Sequence, residues 1–223
     1  MNTRMMAVTG LAAILLVAGG TANAALIGSM SAPASTYNVS DGTIDWIAIK
    51  GDGALARKNT TNVLAITGYF DGGVYTTSTT TTWSDGAPPN ANGTASFIYP
   101  RYGMKYTPYV ITAPNPGVGK TYEIEVLLGC FQYGGGYGPI TVTASVSGDG
   151  GSYSQAFDTN GGGERLFTFD YSGGDLTISE NINYMWSPSF QFASLSAVPE
   201  PATVGLLALG GLAVLKRRRG LAR

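Results

Sequence analysis

Apolar and polar residues alternate with period two along most of the middle of the chain. Ile140, Val142, Ala144 and Val146 alternate with Thr141, Thr143, Ser145 and Ser147, and Gly148-Asp149-Gly150-Gly151 then supplies a turn. Phe167, Phe169 and Tyr171 alternate with Leu166, Thr168 and Asp170 ahead of Gly173-Gly174. Leu176-Thr177-Ile178 and Phe190-Gln191-Phe192 read as two further short strands. Gly42 to Ile49 reads as another, ended by Gly51-Asp52-Gly53. In Tyr122–Cys130 the side chains of Tyr122, Ile124, Val126, Leu128 and Cys130 share one strand face, and Glu123 and Glu125 share the other. No helical period is sustained outside the two ends. Short strands separated by Gly-rich turns predict an all-β fold, an antiparallel β-sandwich of jelly-roll type.

The two ends break this alternation. Residues 1–24 carry Arg4, an apolar stretch from Met5 to Ala18, and then Ala22-Asn23-Ala24. Small residues at Ala22 and Ala24 suit signal peptidase, so cleavage after Ala24 is expected. At the other end, Val198-Pro199-Glu200-Pro201 precedes an apolar run from Ala202 to Leu215 and the basic cluster Lys216, Arg217, Arg218 and Arg219. That run of 14 residues would be about 21 Å long as a helix, against a hydrocarbon core of roughly 30 Å. A short transmembrane helix of this kind needs local thinning of the bilayer and snorkelling of Lys216. By the positive-inside rule its basic tail lies in the cytoplasm and the middle of the chain outside the inner membrane. The expected organisation is a signal peptide (1–24), one extracytoplasmic domain (25–197) and a C-terminal sorting segment (198–223).

Val-Pro-Glu-Pro, a Gly/Ala/Leu helix and an Arg-rich tail, in that order, resemble the PEP-CTERM sorting signal, a segment also labelled ice-binding protein C-terminal domain. The resemblance implies that an exosortase-type membrane transpeptidase reads Pro199-Glu200-Pro201. Processing near the motif would move the protein from a transient inner-membrane precursor to the cell surface, outer membrane or extracellular matrix, in cells that make exopolysaccharide. The middle also resembles, more loosely, exported bacterial jelly-roll domains with a galactose-binding-like sandwich. The pieces that carry this likeness are Gly42-Thr43-Ile44-Asp45-Trp46, Arg57-Lys58, Trp83-Ser84-Asp85-Gly86 and Phe190–Leu195.

Composition narrows the chemistry. Of the 13 Lys and Arg and 14 Asp and Glu, Ala25–Val198 keeps seven and thirteen, a net charge of −6. Such a surface repels phosphate, so nucleic acid is not expected as a partner. The chain has no His and 1 Cys. This excludes Ser-His-Asp and Cys-His catalysis and any intramolecular disulfide. Cys130, on an apolar strand face, reads as a buried thiol.

Four groups remain as candidates for chemistry. Aromatic rings stack on the C–H faces of sugars. Tyr99, Tyr102, Tyr133 and Tyr137 are the candidate glycan contacts, within the wider clusters Tyr99–Tyr109 and Tyr133-Gly-Gly-Gly-Tyr137. Against this, the Trp residues Trp46, Trp83 and Trp186 read as core and the Tyr residues as strand edges. Glu123 and Glu125 stand about 7 Å apart along a strand, a spacing that a solvated strand face produces routinely; paired carboxyls are what glycoside hydrolysis needs. Asp41-Gly42, Asp52-Gly53, Asp85-Gly86 and Asp149-Gly150 read as tight turns, with a structural Ca²⁺ as the alternative. The run Thr76 to Thr82 reads as a β edge or a loop. No catalytic residue, no metal ligand and no other cofactor is expected. The expected role is a non-enzymatic surface or matrix protein associated with exopolysaccharide, with a lectin-like module as the alternative and a glycoside hydrolase as a distant third.

Overall fold

The structure is a computed structural model. It describes residues 25–40, 42–50, 54–58, 62–67, 72–87, 89–100, 109–130, 140–157, 163–181 and 188–199, with backbone alone at 72–78, 92–100, 130, 163, 181 and 188–189. Among the described residues it is all β. A six-stranded sheet runs in the order β1 (Ala25–Ser31), β12 (Gly163–Ser172), β9 (Thr121–Cys130), β14 (Pro188–Val198), β3 (Thr43–Ile49), β4 (Leu55–Arg57). A five-stranded sheet runs β11 (Ser152–Phe157), β10 (Ile140–Val146), β13 (Leu176–Asn181), β8 (Val110–Ala113), β5 (Ala65–Thr67). A three-stranded sheet runs β2 (Thr36–Asn38), β6 (Gly72–Trp83), β7 (Ala91–Pro100). Pairing is antiparallel except between β2 and β6.

The two larger sheets pack face to face, as alternation predicts. Ile124, Val126 and Leu128 of β9 meet Phe167, Phe169 and Tyr171 of β12 and, from the other sheet, Val142, Ala144, Val146, Leu176 and Ile178. Tyr171 Oη then donates to Pro114 O across the sandwich at 2.8 Å.

Alternation in the middle does not predict the third layer. On the opposite face of the six-stranded sheet, Trp46, Ala48, Ala56, Leu127 and Phe192 form a second core with Val39 and Trp83. The three-stranded sheet closes it, so the six-stranded sheet is the middle layer. A β-bulge makes this possible. The register of β14 against β9 shifts between Phe190 and Phe192, which pair with Leu128 and Leu127 respectively. The two rings, two residues apart, therefore face opposite ways, Phe190 into the main core and Phe192 into the second. The tilted Trp46–Trp83 pair, with centroids 5.2 Å apart, crosses the second core. Both rings lie against the α-carbon of Gly86, where any side chain would strike them.

Both ends of the described chain leave the same end of the sandwich. Ala25 pairs with Ser172, Tyr171 with Tyr122, and Val198 with Thr121. The β8–β9 loop (114–120) and the β12–β13 and β10–β11 turns lie at that end too. Cys130, Gly163 and Pro188 meet at the opposite end. Among the described residues no helix is long and apolar enough to cross a membrane. The segments read as signal peptide and C-terminal helix, residues 1–24 and 200–223, lie outside the described residues.

Candidate functional site

The outer face of the six-stranded sheet changes character where the small sheet stops. On β9, Glu123 and Glu125 stand on this face; Asp170 of β12 is the cross-strand partner of Glu123, and Ser194 of β14 is the partner of Glu125. Period two places Glu164 on the same face of β12. The four carboxylates are half-buried rather than fully solvated, which corrects the reading of Glu123 and Glu125 as an open solvated face. The neighbouring layer reaches this strip at Glu164, whose Oε2 accepts the Thr79 hydroxyl. Burial, and then the Asp170 charge, push the Glu123 carboxyl above its usual range. Burial and the Glu123 charge push Glu125 up, partly offset by its hydrogen bond with Ser194. Asp170 Oδ1 is buried without a hydrogen-bond partner among the described residues.

Tyr37 borders this strip. Its ring lies 4.8 Å from that of Phe192, and its Oη accepts the Ala34 N–H at 2.7 Å. Burial raises its phenol, opposed by that N–H, with Glu125 and Glu164 adding to the rise. Gln191, at the β14 bulge, is buried and donates from Nε2 to Thr79 O and to Thr81 Oγ1, each at 3.3 Å. The strip is therefore a row of acceptors and hydroxyls on one sheet face. It suits hydroxyl-rich or cationic ligands, and its carboxyls stand side by side rather than across a cleft.

A cavity of about 410 Å³ is lined, among the described residues, by Asn38, Thr82, Trp83, Ser84, Asn90 and Ala91. Among the described residues amides and hydroxyls dominate its wall, with no ionisable side chain. Asn90 holds a left-handed backbone at φ 50°, a conformation Asn tolerates better than most residues. Ser84 N donates to Ser40 Oγ at 2.6 Å, which fixes the loop after β6.

The sequence-predicted candidates separate clearly. Trp46 and Trp83 are core. Tyr109 is buried, its phenol pushed far up by desolvation and by Glu180. Tyr99 lies on β7, where only backbone is described; Tyr102, Tyr106, Tyr133, Tyr137 and Trp186 lie outside the described residues, and so does the side chain of Cys130. Ala22, Ala24, Glu200, Pro201 and Lys216–Arg219 also lie outside them, whereas Val198 is the last residue of β14 and Pro199 follows it exposed.

Asp85 is committed to structure. It accepts the Trp46 Nε1–H at 2.9 Å and pairs with Lys58 at 3.2 Å. These donors hold its carboxyl below its usual range against the opposing effect of desolvation. Asp41 and Asp52 lie outside the described residues. Among the described residues no group of three or more Cys, Asp or Glu could hold a metal ion. The Thr run is corrected in part: Thr76–Thr82 lies in β6, the central strand of the small sheet, but β2 pairs with it only at Thr80–Thr82 and its register against β7 breaks between Thr76 and Thr80, so the central position holds for the last three residues; Thr79 and Thr81 are buried against the six-stranded sheet.

Sequence reading missed Gln191, Glu164, Tyr37 and Glu180. Only Glu180 carried a signal. It follows Leu176 and Ile178 at the same parity and is therefore an inward position, and the structure buries it with both carboxylate oxygens unpartnered among the described residues.

With this geometry in view, the comparisons bear on the end of the chain. Residues 197–219 match the PEP-CTERM protein-sorting motif. No curated protein and no solved structure matches the chain. The match overlaps the last residues of β14, so the folded sheet runs directly into its sorting signal. The motif marks an exported protein that is sorted by way of the membrane and processed by exosortase.

Proposed function

We propose that the protein is a non-enzymatic cell-surface or matrix component that associates with exopolysaccharide. The observation that carries this reading is the sorting motif at 197–219, which begins within the last strand of the β domain with no intervening linker. Such a domain is the delivered cargo, and a layered sheet of jelly-roll type with a net charge of −6 over Ala25–Val198 is a soluble scaffold for a hydrated matrix. The second reading, a carbohydrate-binding module, is favoured by one feature: the cavity of about 410 Å³ whose described lining is two Asn amides, two hydroxyls, Trp83 and Ala91, with no charged side chain among them. Amides and hydroxyls of this kind hydrogen-bond neutral sugars in either direction.

Two experiments test these statements. Glu200→Ala should leave the precursor in the inner-membrane fraction of the native host; unchanged processing would remove the exosortase step. Purified mature protein should co-sediment with the host's own exopolysaccharide. Saturable binding lost in an Asn38→Ala/Asn90→Gly double variant would establish the lectin-like reading. Binding that resists this change would favour a diffuse matrix role, and no binding at all would overturn both.

A further inference from the structure

The end of the sandwich that carries Ala25 and Val198 also carries a finger with an apolar tip, the β8–β9 loop from Pro114 to Lys120. Gly117 and Gly119 hold left-handed backbones at φ 90° and 72°, which places Val118 at the tip, wholly exposed to solvent. The loop is pinned from within. Asn115 N donates to Asp175 Oδ1 and Gly117 N to Asn115 Oδ1, each at 2.8 Å, and Lys120 N donates to Gly117 O at 3.3 Å. Its base is held by the Tyr171 hydroxyl on Pro114 O. Among the described residues only Val118 and Ile27 are exposed large hydrophobics. Ile27 lies on β1, two residues from the same end.

Chain length sets where this end must sit. Only Pro199, Glu200 and Pro201 separate Val198 from the apolar run that starts at Ala202. Even fully extended, that connection spans at most about 14 Å. The headgroup layer alone occupies roughly half of this. The first strand likewise starts at Ala25, immediately after the expected signal cleavage site. Both segments that engage the membrane therefore leave the same face of the domain.

We propose that this end faces the bilayer in the tethered precursor and that the 114–120 finger inserts Val118 into the lipid interface, with Lys120 at headgroup level. The inference rests on the sorting reading, because the C-terminal run supplies the tether. A single valine is a weak anchor in free solution, and the short tether makes its contact intramolecular. Asp149 and Asp175 stand at the same end and outnumber Lys120, so the contact draws on apolar burial rather than on net attraction to an anionic surface, and screening by salt does not abolish it. The opposite end, where Cys130, Gly163 and Pro188 meet, is then held about 30 Å further from the membrane, the length of β9. A ligand-binding role would fall to that outward end and to the sheet faces.

The test uses the signal-processed, full-length precursor in vesicles of phosphatidylethanolamine and phosphatidylglycerol without exosortase. An environment-sensitive fluorophore is placed on Val118→Cys or, as the control, on Ala156→Cys at the opposite end, both in a Cys130→Ala background. The expected result is blue-shifted emission at position 118, quenched severalfold by lipid-borne quenchers in low or high salt, with position 156 unaffected. Equal, unquenched emission from both sites on vesicles that float with the protein would overturn the finger contact and leave the tether intact. Protein that does not float would overturn the tether and this inference together. Should the Cys130→Ala background fail to fold, hydrogen exchange of the unlabelled chain decides: amides of 115–120 must slow on reconstitution, and unchanged exchange there overturns the proposal.

Discussion

The two faces of the six-stranded sheet are built from the same strands and do different work. The inner face is mainly apolar, with Phe167, Phe169, Ile124, Val126, Phe190 and Leu195 at zero exposure, and its buried Asp45, opposite Leu195, accepts the Val63 and Leu64 N–H groups. The outer face is divided. Under the small sheet it is equally buried, around Trp46, Leu127 and Phe192. Beyond it, Glu123, Glu125 and Asp170 crowd together half-buried. A strand whose two faces are both covered cannot show a clean polar–apolar alternation along its whole length, and β9 shows the boundary: Glu123 and Glu125 are followed on the same face by buried Leu127.

Substitutions on the two faces sharpen this comparison. The largest loss is expected on the inner face: Phe169→Ala should lower unfolding free energy by about 3–5 kcal/mol in a denaturant titration. Leu127→Ala on the outer face should cost about 2–4 kcal/mol if the small sheet seals it as tightly as the sandwich seals Phe169. A cost near zero would mean that the small sheet lifts away in solution.

Glu180 gives a different handle, because it is an acid inside the inner core. Burial raises its carboxyl well above the usual range, so the folded state holds this proton more tightly than the unfolded chain does. The stabilising difference is present in full below the unfolded pKa of about 4.5. It is lost as pH climbs toward the folded value, at up to about 1.4 kcal/mol per pH unit. Glu180→Gln should flatten that slope and leave the protein more stable than the parent at neutral pH, measured by melting temperature across pH 4 to 8 (about 4–8, the working range for such profiles). A parent whose stability rises over that range would contradict the buried, unpartnered acid.

The smallest effect belongs to the outer strip. Burial raises both carboxyls, with the Asp170 charge adding at Glu123 and the Glu123 charge adding at Glu125. Glu123→Gln should therefore stabilise slightly above the carboxylate range, by no more than about 0.5 kcal/mol after allowance for solvent screening. A clear loss of stability would show that this carboxylate has a partner it needs.

Local pattern carried the strands far. The runs at Gly42–Ile49 (all but Gly42), Tyr122–Cys130, Ile140–Val146, Phe167–Tyr171, Leu176–Ile178 and Phe190–Phe192 fall in strands, although the bulge turns Phe190 and Phe192 to opposite faces. It failed at β1, where Leu26, Gly28 and Met30 face inward but make too thin an apolar row to stand out. It failed also at β11, whose Ser152–Phe157 is mostly polar and lies at a sheet edge. The Thr run reads as an edge because its side chains are small and polar, yet at Thr80–Thr82 β6 is flanked by β2 as well as β7. The glycan-contact tyrosines were chosen for ring chemistry alone; Tyr109, from the same cluster, proved to be a core residue because its strand-end position points between the sheets.

By itself the sequence determined what depends on neighbours along the chain: strand periods, the turns, the all-β class, and the linear sorting motif at 197–219, which a membrane enzyme reads as a string. Tertiary structure decided what depends on which strand lies beside which. It turned Phe190 and Phe192 to opposite sides through one bulge, covered half of one sheet face with a third layer, and brought Ala25, Val198 and the Val118 finger to one end. Period two names the two sides of a strand, and only the register and the packing of distant strands decide what each side meets.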